Sequence, residues 1–246
     1  MRFLVVGAAG GLGSFLSRKL RDCGHEVHGI DVIDGPTVDS VVPMTQSISC
    51  FCDIISDLFT RYKTPWSVII SIAVRGRSRS STSYEIIHED IQELICLNSL
   101  LMIKTAECLS RSSRSFDEES HIINIGSVLS DKYSSKESPF YGASKAAAKS
   151  LVRDLAAISL KDNICINSIS PALLFRNSLS LDYLKKHLNK YSSYISPTAY
   201  VDIYKLIEFI SLSGIKSLRG KDIVLDYGLE DIEGFDLIAT VCENNI

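Results

Sequence analysis

What most limits the possible folds of this chain is an alternation. Short apolar runs rich in β-branched residues recur along the sequence, each followed by a longer stretch with helical spacing. Phe3 to Val6, Glu26 to Ile30, Trp66 to Ala73, Ile122 to Ile125, Ile164 to Ile169 and Ile223 to Leu225 read as strands, and the weaker Val38 to Val42 stretch reads as the third of the series. Most of these runs are apolar at nearly every position rather than at every second one, so both of their faces must be covered. The pattern predicts a Rossmann-type, doubly wound parallel sheet in a three-layer α/β/α single domain over residues 1–246.

Residues 45–63 carry apolar side chains at Ile48, Phe51, Cys52, Ile55, Leu58, Phe59 and Tyr62. That is the period of a helix, with Thr45 as its N-cap and Asp53 on its polar face. The most polar stretch, Arg111 to Ser120, reads as a loop.

Composition excludes several classes. With 46% hydrophobic residues there is material for a sizeable core, and a net charge of −3 offers neither nucleic acid nor an anionic membrane a basic surface. The seven cysteines include no CxxC pair, and the five histidines show no metal-ligand spacing. They read as buried free thiols in a reducing cytoplasm, with no metal expected. No window approaches the length of a membrane-spanning helix, and the short apolar start, broken at Gly7, does not resemble a signal peptide.

Between the first strand and the first helix lies Gly7-Ala8-Ala9-Gly10-Gly11-Leu12-Gly13. Glycines allow a phosphate to approach the backbone, and a helix N-terminus supplies positive partial charge. A purely structural turn is the alternative, but the strand–glycine–helix context is the one a dinucleotide site requires. The second strand ends at Asp31, an acid suited to accept hydrogen bonds from ribose hydroxyls and to repel a 2′-phosphate. No arginine or lysine follows it closely, which favours NAD over NADP.

Tyr141 and Lys145 stand four apart at the head of an alanine-rich helical run. An ammonium one turn away lowers the pKa of a phenol, whose ordinary value is about 10. Spacing alone favours one helix turn that happens to bear two polar residues, because such a pair recurs often by chance. Ser127 follows the Ile122 to Ile125 strand at its carboxyl end, where open α/β sheets bind ligands.

Taken together, these residues resemble the short-chain dehydrogenase/reductase family in its single-domain branch, over essentially the whole chain. Gly7, Gly11 and Gly13 fit the family's GxxxGxG, and Gly7, Gly10 and Gly13 fit its GxxGxxG variant. The resemblance implies a catalytic tetrad of Ser127, Tyr141, Lys145 and Asn98, with Tyr141 as general acid or base and Asn98 holding a water that relays protons from Lys145. It implies nucleotide contacts from Gly7, Gly10, Gly11, Leu12, Gly13, Asp31, Ala73, Tyr141, Lys145 and Pro171. It also implies a substrate lid around 173–196, a final strand and turn at Leu225 to Gly228, and a homodimer or homotetramer built through the helices near 84–110 and 140–160.

This sequence departs from the family where Asn-Asn-Ala-Gly is replaced by Ser71-Ile72-Ala73-Val74, where Val6 precedes Gly7, and where Pro171-Ala172 replaces Pro-Gly. These changes mark a divergent member. Arg75, Arg77 and Arg79 form either a solvated basic loop or, with Arg176, a binding site for an anionic substrate. The function expected is NAD-dependent interconversion of a secondary alcohol and a ketone on a small metabolite. An NAD-using epimerase, isomerase or dehydratase, or a non-catalytic nucleotide-binding regulator, are the alternatives on the same fold.

Overall fold

A computed structural model describes residues 1–42, 47–62, 64–70, 84–113, 118–131, 139–171 and 199–225. Seven strands form one sheet: β1 (Arg2–Val6), β2 (Glu26–Asp31), β3 (Ser40–Val41), β4 (Trp66–Ile70), β5 (Ser120–Ile125), β6 (Ile164–Pro171) and β7 (Asp222–Leu225). Their order is β3-β2-β1-β4-β5-β6-β7, and every neighbouring pair is parallel. Among the described residues five helices cover it: α1 (Gly11–Asp22), α2 (Ser47–Arg61), α3 (Tyr84–Ser113), α4 (Pro139–Ile158) and α5 (Ala199–Leu212). The doubly wound α/β sheet expected from the alternation is therefore present.

The two faces are separate cores because side chains alternate along each strand. Leu4 and Val6 of β1 join α2, α3 and α4 in one cluster, while Phe3 and Val5 join Leu12, Leu16 and Leu20 of α1 and Ile203 and Ile207 of α5 in the other. Strands β4, β5 and β6 are buried at every residue, which is why they read as continuous apolar runs. The helix expected over 45–63 spans Ser47–Arg61, with Phe51, Ile55, Leu58 and Phe59 buried and Asp53 exposed; Thr45 lies outside the described residues.

One boundary needs correction. The polar run Arg111 to Ser120 was expected to be a loop, but its first residues belong to the last turn of α3 and Ser120 opens β5. Arg111 is ion-paired to Glu107 one turn earlier, and Ser112 Oγ donates to the Cys108 and Leu109 carbonyls, so the helix continues through polar residues.

The strand order reverses between β1 and β4, and open α/β sheets bind ligands outside the carboxyl ends of the strands at such a reversal. The described candidate residues fall along this edge of the sheet.

At the opposite end, His121 is 3% exposed, its Nδ1 has no hydrogen-bond partner, and burial pushes its pKa down to about 4. The unfolded chain then takes up this proton near the ordinary value of 6.5, and the folded chain does not until about 4. Stability attached to His121 is accordingly lost as pH falls through this interval. Denaturant titrations at pH 7 and pH 5 should show about 2 kcal/mol more loss in the wild type than in His121→Leu. Equal losses in the two proteins would show that the imidazole is hydrated in the native state.

Candidate active site

The glycine loop is built on the end of β1. Gly7 turns the chain with φ of 88°, a left-handed conformation that side chains disfavour, and its amide and that of Ala8 donate to the Ile30 carbonyl at 2.8 and 3.2 Å. Gly13 is required by close approach, since a Cβ there would lie 2.0 Å from the Gly7 carbonyl oxygen. Gly10 caps α1 in extended backbone with no side-chain hydrogen bond, and Gly11 begins the helix. The first amides of α1 have no intrahelical acceptors and aim toward the strand ends. Leu12 packs its side chain into the core at 7% exposure, so any ligand contact it makes is through its backbone. A buried Thr37 braces the loop by donating from Oγ1 to the Ala8 carbonyl at 2.7 Å.

Asp31 stands against this loop. Its Oδ2 accepts from the Ala9 amide at 2.8 Å, and its Oδ1 accepts from Val32 and Ile33 at 2.7 and 3.2 Å. The carboxylate is thereby fixed at the carboxyl end of β2 beside the glycine turn, and Oδ2, with one donor, retains acceptor capacity.

The second half of the site gathers on β5, α3 and α4. Lys145 is 1% exposed, and its Nζ donates to Asn98 Oδ1 at 3.0 Å and to the Ile125 carbonyl at 2.9 Å. The same Nζ lies 5.7 Å from the centroid of the Tyr141 ring. Burial pushes the lysine pKa down to about 7. Asn98 is equally buried; its Nδ2 approaches Ser144 Oγ at 3.5 Å, and Ser144 donates to the Tyr141 carbonyl at 2.8 Å. Asn98 thus meets Lys145 directly, while its amide group faces the helix turn that bears Tyr141.

Ser127 lies two residues beyond the carbonyl that holds Lys145. In extended backbone it caps the 3-10 turn Val128–Ser130, and its Oγ accepts from the Leu129 amide at 3.2 Å. Pro171 ends β6, buried and paired with Leu225. Ala73, Arg75, Arg176, the Ser71 to Val74 departure and the 173–196 segment lie outside the described residues.

Sequence reading missed Ser144 and the Ile125 carbonyl, which hold Asn98 and Lys145 in place. It also missed a group of potential metal ligands, Glu119, His121 and Cys165, that the strand register brings together. Arg219 is ion-paired with the Glu119 carboxylate, and the Asn167 amide donates to Cys165 Sγ at 3.3 Å. These contacts already supply the cluster with a cation and a donor. Among the described residues no helix is long and apolar enough to cross a membrane.

Comparison with known proteins places this geometry. An uncharacterized oxidoreductase of Schizosaccharomyces pombe is 26% identical over 171 residues, which cover 66% of this chain and 64% of that protein. The match thus spans less than two thirds of the relative's length. Among solved structures, the chain resembles sorbitol-6-phosphate 2-dehydrogenase from Erwinia amylovora at a TM-score of 0.73 and 17% identity, over 92% of this chain and 98% of that one. It resembles aldohexose dehydrogenase from Thermoplasma acidophilum at a TM-score of 0.69 and 17% identity, over 93% of each chain. At such identities the solved structures show the fold. A model described as short chain dehydrogenase matches residues 2–177, from the first strand past the tyrosine–lysine helix and the sixth strand. With that match over most of its length, the chain belongs to the short-chain dehydrogenase family.

Proposed function

We propose that this protein is an oxidoreductase that interconverts a secondary alcohol and a ketone on a small metabolite with NAD, using Tyr141, Lys145, Ser127 and Asn98. The observation that carries this reading is the buried Lys145 ammonium, held by Asn98 and Ile125 beside the Tyr141 ring. Complete burial costs a lysine its hydration, whereas a lysine that stabilises a phenolate needs a position beside the phenol.

The glycine loop fits a dinucleotide, because a Cβ at Gly13 would strike the turn against which the phosphates would lie. When bound, the nicotinamide would supply or accept the hydride. This chain's residues handle the proton. Tyr141 gives its phenolic proton to the ketone oxygen in reduction and takes it back in oxidation. Lys145 favours the phenolate by its charge, and its pKa near 7 lets it exchange protons with little free-energy change near neutral pH. Asn98 keeps the ammonium in place. Ser127 Oγ already accepts from Leu129, so its own hydrogen is available to a substrate oxygen.

Asp31 supports NAD over NADP. Its carboxylate is fixed by three backbone amides, and a 2′-phosphate would bring negative charge against it. Arg75 and Arg176 are proposed as the groups that would bind an acidic substrate. A homodimer or homotetramer is likewise proposed for the assembled enzyme.

Two measurements test this reading. Fluorescence titration should show NADH binding at least about tenfold tighter than NADPH, with Asp31→Ser narrowing the gap. Equal affinities would remove Asp31 from the ribose. Turnover of a panel of neutral and phosphorylated polyols and their ketones, followed by nicotinamide absorbance, should fall by about 10²- to 10⁴-fold in Tyr141→Phe, with NADH affinity changing little. Undiminished turnover in that variant would exclude the tyrosine as the proton donor.

A further inference from the structure

One helix turn beyond Lys145, on the same side of α4, lies a second lysine. Lys149 is 27% exposed, and its Nζ is ion-paired with Asp131 and, at 2.8 Å, with Asp222 Oδ2. The two carboxylates come from different places. Asp131 closes the 3-10 turn that Ser127 caps, and Asp222 opens β7 at the edge of the sheet. Asp222 is 11% exposed, and its Oδ1 accepts from Ser170 Oγ at 2.7 Å, one residue before Pro171. A chain of contacts therefore runs from the turn after Ser127, through the helix of Tyr141 and Lys145, to the strand end at Pro171.

The geometry points to Lys149 as a positioning residue for the active site: through Asp131 and Asp222 it fixes the Tyr141–Lys145 helix against the Ser127 turn and the β6–β7 edge. This rests on the proposed roles of Tyr141 and Lys145, and adds a function for three residues that touch no reacting atom. Tyr141, Lys145 and Lys149 follow one another at intervals of four, so they share a stripe of the helix that faces the sheet. Lys145 grips the inner side of that interface through Asn98 and Ile125, and Lys149 grips it one turn further along. With two anchors a turn apart, the helix resists both rolling and sliding, and the distance from the Lys145 ammonium to the Tyr141 phenol is set. With one, the stripe is free to shift. Burial works against the charge of Lys149, but its bonds to Asp131 and Asp222 outweigh that and raise its pKa, so the clamp stays charged at neutral pH. Gly126 makes room for the network, since a Cβ there would lie 2.5 Å from Ser170 Oγ.

The test follows the ionisation of Tyr141 in the folded protein, which needs no substrate. Tyrosine labelled with carbon-13 at Cζ is incorporated, the Tyr141 signal is assigned by its loss in Tyr141→Phe, and its titration is recorded in wild type, Lys149→Met, Lys149→Arg, Asp131→Asn and Asp222→Asn, with thermal unfolding measured alongside. The midpoint should rise by about half a unit in Lys149→Met, which is what Coulomb's law gives for an ammonium retreating about 1 Å at an effective dielectric of about 20. It should return toward wild type in Lys149→Arg. The asparagine variants decide between mechanisms. Removing a carboxylate lowers a tyrosine midpoint if only charge at a distance matters, whereas release of the clamp raises it. A fall or no change in Asp131→Asn and Asp222→Asn, in protein that unfolds cooperatively, overturns the inference even while wild-type Tyr141 titrates below the other tyrosines. If wild-type Tyr141 titrates with the other tyrosines, the catalytic reading fails first and the positioning role falls with it. Should Lys149→Met not fold, the two asparagine variants carry the test.

Discussion

A lysine with 1% of its surface exposed, held by a side-chain amide and a strand-end carbonyl, is a costly feature. Burial moves its pKa from 10.5 to about 7, so at pH 7 and below the fold gives up on the order of 5 kcal/mol relative to a solvated lysine. The folded lysine releases its proton more readily than the unfolded one, so this loss is recovered only as pH rises from about 7 toward 10.5. Whole domains retain roughly 5–15 kcal/mol, so the surroundings must offset much of this cost. What lies around Lys145 is what one would build for the purpose: a strand-end carbonyl, a buried amide and a helix packed on fully buried strands.

The same sheet edge serves both halves of the site. In a parallel sheet, carbonyls at the carboxyl end of a strand lose their ladder partners where the strand stops, and they become acceptors for whatever the crossover brings there. Ile30 at the end of β2 receives the amides of Gly7 and Ala8, and Ile125 at the end of β5 receives Lys145. The glycine loop and the buried lysine, proposed above as phosphate cradle and proton-transfer group, are thus positioned by one device used twice, on either side of the reversal between β1 and β4.

The elements most legible in the sequence were those whose cause is local. The glycine turn follows from backbone sterics, the 47–61 helix from its apolar period, and the Tyr141–Lys145 stripe from helix geometry. Less legible were features set by register and packing. The end of α3 was misplaced because its last turn is polar and is held by an ion pair rather than by an apolar face. His121 and Cys165 meet because β5 and β6 pair in one particular register, which no spacing along the chain discloses. The Ile125 carbonyl and the Ser144 hydroxyl escaped because the groups that orient a functional side chain need not be distinctive residue types. Lys149 could have been suspected from its four-residue interval after Lys145, but its partners Asp131 and Asp222 are 91 residues apart and are joined only by the fold (222 − 131 = 91).

The two lysines on α4 also differ in a way that electrostatics explains. Like charges four apart on a helix repel, and a bare Lys149 would push the neighbouring ammonium toward deprotonation. Lys149 is instead matched with two carboxylates, so the trio carries a net charge of −1 (+1 − 2 = −1). At Lys145 burial lowers the pKa to about 7, whereas at Lys149 the two carboxylates outweigh burial and raise it. The outer lysine remains fully charged and serves as the anchor. Exchanging their surroundings would reverse their properties, although both are lysines on the same stripe of one helix. The difference in chemistry therefore comes from the strand ends and turns they reach.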